Sequence, residues 1–193
     1  MARIISALRR EHESIGNILD VLESEIAYVV EYQGRRRADY RLIWSAIDYF
    51  TDFPDLVHHP KEDLVYEQMR LLDPVAATRV GDIPAAHASL ALGLHNLAEE
   101  VKAVMEDPAR PRAALVDLAR TFIRQYRRHV DLEEAVFFPA AERMLDETSW
   151  SDLDHRMTAR LDPLIGGESG ERFEALRRTI AAKVSAPEAQ PAR

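Results

Sequence analysis

At 193 residues the chain has the length of one domain with room for a small appendage. Its 47% hydrophobic and 30% charged residues are a globular balance with enough apolar material for a sizeable core. The net charge of −8 argues against a nucleic-acid partner, and the absence of cysteine excludes disulfides, thiolate zinc sites, iron–sulfur clusters and cysteine nucleophiles.

The first residues, Met1 to His12, turn polar too soon to supply a signal-peptide core. No apolar run approaches the roughly 20 residues that a membrane span needs. The expectation is a cytoplasmic protein with no membrane partner. Few glycines and abundant Ala, Leu, Arg and Glu favour helix.

Apolar residues at Ile4, Leu8, Ile15, Ile18, Leu19, Leu22, Ile26 and Val29 form a helical stripe, predicting helix A over about 3–33, closed by Gly34. His12 replaces an apolar residue on that stripe. The basic run Arg35-Arg36-Arg37 follows as a solvated loop. Asp39 caps helix B, whose stripe runs from Leu42 to Met69 and contains Pro54 and Pro60. One kinked helix ending near Leu72 is preferred to two helices meeting at 54–60. Helix C spans about 82–106 and carries His87 on its inward face. Helix D spans about 111–145 and is interrupted late by Pro139. Beyond Asp146 the pattern reads as a short helix over 150–161, a turn at 162–167, a last helix over 173–184 and a disordered tail.

These elements predict an all-α chain: an up-down-up-down four-helix bundle over 1–146, a short helical C-terminal appendage over 147–185 and a tail over 186–193. The chain also echoes itself. Helix A overlays helix C with His12 on His87, and helix B overlays helix D with His58 on His129 and Glu62 on Glu133. In such a bundle His12, His58, His87 and His129 share one layer, joined by Glu62 and Glu133 a turn away. Four imidazoles and two carboxylates in an apolar interior are costly to bury unliganded, and a pair of metal ions bridged by the carboxylates removes that cost. Nitrogen and oxygen donors without sulfur suit iron ahead of manganese or zinc.

The His-x-x-x-Glu spacing alone is weak evidence. It recurs at His95–Glu99, about 12 Å along the helix from His87, where an exposed pair is the better reading. His59, with Asp63 as a near-match, is turned about 100° from His58 and suits a boundary role. Tyr126, one turn before His129, is a candidate extra ligand or hydrogen-bond donor, and His155 has no assigned role. No histidine has a glutamate three residues before it, so the ferritin-like pattern is absent, as is the zincin His-Glu-x-x-His.

The stretches Leu8-Arg-Arg-Glu-His12, His58-His-Pro-Lys-Glu62-Asp63, Ala86-His87 and Arg128-His129-Val-Asp-Leu-Glu133-Glu134 with Phe137-Phe138-Pro139 resemble the hemerythrin family, in particular its bacterial HHE cation-binding proteins. The resemblance implies two non-heme, oxo-bridged iron ions, with Glu62 and Glu133 bridging and His12, His58, His87 and His129 as terminal ligands. Two positions depart from the pattern. Ala91 stands where oxygen carriers have a second helix C histidine, and Ala86 stands where the HHE group has Glu before its histidine. The first departure leaves one iron more open to oxygen, peroxide or nitric oxide. The expected role is therefore binding or reacting with a small oxidant in sensing, detoxification or iron homeostasis. The alternatives are an enzyme of peroxide disproportionation or iron-centre repair, and a metal-free helical interaction module.

Overall fold

The computed structural model describes residues 3–30 and 38–160. The expected end of helix A at Gly34, the arginine run and everything from residue 161 onward lie outside the described residues. Within them the chain is all-α.

Helix α1 (Arg3–Val30) buries the stripe read from the sequence, from Ile4 through Leu8, His12, Ile15 and Leu19 to Ile26. Asp39 caps α2 (Tyr40–Asp52) by accepting from the backbone N–H groups of Arg41 and Leu42. A π-helical turn over Pro54–His58 joins α2 to α3 (His59–Leu72), so the two prolines kink the rod without ending it. A short α4 (Pro74–Thr78) leads to α5 (Ile83–Glu106), capped by Asp82, which accepts from the Ala85 N–H. Gly81, at φ 92°, makes the left-handed turn that a side chain would strain. Helix α6 (Ala113–Leu132) passes through a second π-helical turn, Glu133–Phe137, into α7 (Phe138–Met144), and α8 (Glu147–Arg160) follows.

The long rods close a ring. Helix α1 packs on α2 and α6, and α5 packs on those same two helices. Each rod turns its apolar stripe to the axis, where Ile15, Leu19, Ile43, Phe50, Leu97, Val101, Leu115 and Phe122 are buried. At one end a second cluster joins Ile5, Leu8, Val65, Met69, Ile83 and Phe137 to Leu153 and Met157 of α8. Met1–Arg160 is a single compact unit. Among the described residues no helix is long and apolar enough to cross a membrane.

The packing has a direct test. Leu97 is fully buried on α5, whereas Leu92 on the same helix is 62% exposed. Urea unfolding should show Leu97→Ala costing about 2–5 kcal/mol and Leu92→Ala less than about 0.5 kcal/mol.

Candidate metal centre

The two π-helical turns set the geometry of the site. A proline inside an α-helix clashes with the carbonyl four residues back. For Pro60 and Pro139 those carbonyls belong to Leu56 and Ala135, and each lies within a π turn, where the wider loop absorbs the clash. The backbone N–H of His58 accordingly reaches back to the Phe53 carbonyl, and that of His59 to Pro54. The wider turn also lowers the angular step per residue below the α-helical 100°. His58 and His59, neighbours in sequence, are both buried together with Glu62.

All six expected residues converge, and each carboxylate divides its oxygens between two sets of imidazoles. Glu62 Oε1 lies 3.4 Å from His12 Nε2 and 3.3 Å from His58 Nε2, while its Oε2 lies 3.4 Å from His87 Nε2. Glu133 Oε2 lies 3.4 Å from His12 Nε2, while its Oε1 lies 3.5 Å from His87 Nε2 and 3.0 Å from His129 Nε2. Both glutamates are 0% exposed. Their four oxygens, and the Nε2 atoms of His12, His87 and His129, are buried with no well-formed hydrogen bond. Donors around an ion at 2.0–2.1 Å sit roughly 3–3.4 Å from one another, which is the spacing found here. His12, His58 and Glu62 form one group able to hold a cation, and His59, Glu62, His87 and His129 form another.

Behind the imidazoles stands a row of carboxylates to which the sequence reading assigned no part in the site. His12 Nδ1 donates to Glu134 at 2.8 Å, His58 Nδ1 to Glu11 at 2.8 Å and His87 Nδ1 to Asp63 at 2.9 Å. Arg9 in turn holds Glu134 at 2.9 Å, and Lys61 holds Glu11 at 2.5 Å. These bonds fix the proton on Nδ1 and aim the Nε2 lone pair inward, as ligating histidines require. The signal was present in the sequence, since each of these acids is adjacent to a predicted site residue: Glu11 to His12, Asp63 to Glu62 and Glu134 to Glu133.

His59 is placed differently from the sequence reading. Asp63 belongs to His87, and His59 Nδ1 instead lies 3.2 Å from Asp55. The His59 ring stacks on His87 with centroids 4.0 Å apart, inside the second cluster. Tyr126 OH, 3.1 Å from His59 Nε2, is the hydrogen-bond donor that its position suggested. Burial, with the nearby Glu62 and Glu133, holds the Tyr126 phenol well above its usual range, so it keeps its proton. Burial likewise pushes His59 down, leaving it neutral and able to accept. His95 and Glu99 are exposed on α5, and the exposed His155 bonds the Ser151 carbonyl of its own helix.

Without a cation the cluster is held by protons. Burial pulls the imidazoles down, but Glu133 and Glu62 reverse this for His12, which stands at about 10. Asp63, Glu133 and Glu62 do the same for His87, at about 11. Burial raises Glu62, yet His58 and the other imidazoles prevail and hold it at about 2. The raised histidines contribute stability that is full below pH 6.5 and lost as pH rises toward 10–11. The lowered carboxylate contributes stability that is full above pH 4.5 and lost as pH falls toward 2. Urea unfolding of chelator-treated protein should therefore show greatest stability between about pH 4.5 and 6.5, declining on both sides.

Among comparisons with known proteins, no curated protein and no solved structure matches the chain. A family model does match, that of the hemerythrin HHE cation binding domain, over residues 3–141. That span runs from the start of α1 to the middle of α7 and contains every member of the buried His/Glu cluster. The chain belongs to the hemerythrin HHE cation-binding family.

Proposed function

We propose that this protein holds two non-heme iron ions between Glu62 and Glu133 and uses them to bind or react with a small oxidant: oxygen, peroxide or nitric oxide. The observation that carries the reading is the division of each carboxylate. One oxygen of Glu62 and one of Glu133 face the His12–His58 side, and the other two face the His87–His129 side. A bridging carboxylate has this disposition, with one oxygen for each ion. Iron suits a set of imidazole and carboxylate donors without sulfur, and it supplies redox and oxygen-binding chemistry when bound.

The residues around the site would divide the work. His12 and His58 would hold one ion, and His87 and His129 the other. His59 would support the second side, where α5 carries Ala91 instead of a second histidine, without ligating an ion. Its ring lies parallel to His87, its Nδ1 faces Asp55 and its Nε2 accepts from the Tyr126 hydroxyl. Phe138, stacked 5.3 Å from His12, and Phe50, against Tyr126, keep the interior dry. The metal-free module reading is less well supported, because it leaves buried carboxylate oxygens without good hydrogen bonds.

Elemental analysis after iron-replete expression should give two irons per chain. Glu133→Ala and His87→Ala should each retain one or none, while His95→Ala keeps the full complement. Fewer than one iron per wild-type chain would overturn the reading. Metal uptake should also displace the protons on His12 and His87, releasing about two per chain at pH 7 to an indicator dye.

A further inference from the structure

We propose that the cleft between α5 and the α6–π junction is a second, organic binding site. It would take a monocarboxylate with an apolar tail, whose oxygen accepts a hydrogen bond from His129 Nδ1.

The two halves of the internal repeat differ at this cleft. In the first half, His58 Nδ1 donates to Glu11, and Lys61 holds the other oxygen of Glu11. The same overlay that puts His12 on His87 puts Glu11 on Ala86. The one that puts His58 on His129 puts Lys61 on Leu132. The acid and its cation are thus both replaced by apolar residues in the second half.

The consequence is visible in the fold. Among the described residues, His129 is the one layer histidine whose Nδ1 is buried without a protein partner. Ala86, Leu132 and His129 itself line an open cleft of about 510 Å³, with Leu90 and Val136. That volume is in the range of small-molecule sites. Leu132 and Val136 are 39% and 38% exposed, an apolar wall left uncovered among the described residues. Arg128 also lines the cleft.

A carboxylate headgroup therefore fits where Glu11 sits in the other half, between the His129 N–H and the Arg128 guanidinium. Asp131, the one acid lining the cleft, restricts an anion to that side. The apolar walls fit an alkyl tail of about six to ten carbons. Each methylene fully buried should tighten binding about fourfold. The site rests on geometry alone and does not require the metal reading. If that reading holds, an anionic acceptor on Nδ1 would make His129 Nε2 a stronger donor toward the centre, so occupancy would tune it.

Isothermal titration of the full-length protein with butanoate, hexanoate and octanoate, and with hexan-1-ol, tests this. Saturable binding is expected to tighten with chain length, with hexanoate at least tenfold tighter than the alcohol. Ala86→Glu supplies the missing acid internally and should weaken hexanoate at least tenfold. Val136→Trp fills the cleft without touching His129 and should do the same, so either variant decides if the other fails to fold. No saturation by any carboxylate below about 10 mM, or hexanoate binding within twofold of wild type in a folded variant, overturns the site. Iron content measured on the same samples separates this result from failure of the metal reading.

Discussion

Glu62 and Glu133 bury four carboxylate oxygens at the axis of a helical bundle, where neither solvent nor a backbone donor reaches them. A charged carboxylate in such a place persists only when paired, and here the partners are imidazoles from four rods. Much of the surrounding structure follows from this constraint. The imidazoles must turn Nε2 inward, so outer carboxylates hold their Nδ1 protons, and Arg9 and Lys61 hold two of those carboxylates in turn. The polar centre thus continues outward as a chain of alternating charge to the surface of α1.

The backbone irregularities have a local steric cause. Pro60 and Pro139 each follow a π-helical turn, whose wider loop makes room for the proline ring. His58, His59 and Glu62 share one buried face, as Ile18, Leu19 and Leu22 do in the regular α1. In the second half the π turn begins at Glu133 itself, and Phe137 and Phe138 at its end are both 0% exposed. Phe138 stacks on His12 as a packed lid.

What the sequence carried was periodic: helices from spaced apolar residues, and a layer of His12, His58, His87 and His129 with Glu62 and Glu133 from a hairpin used twice. What it did not carry depended on local departures from regular helix. His59 reads as a boundary residue because a 100° step turns it from its neighbour, and the π turn narrows that step. Spacing matches Asp63 to His59, but rod-to-rod packing gives it to His87. The outer acids Glu11 and Glu134 have no signature of their own, since an acidic residue beside a site residue is common on a helix edge. Ala86 reads in the sequence only as a departure from a pattern. Its physical meaning, an imidazole left without its acceptor, needed the position of His129.

X-ray absorption at the iron edge tests the central claim most directly. The account predicts nitrogen and oxygen ligation only, multiple-scattering from two imidazoles per iron, and a second iron about 3–4 Å away. A spectrum of isolated ions with no metal–metal vector, or with fewer than two imidazoles per iron, would contradict a centre bridged by Glu62 and Glu133.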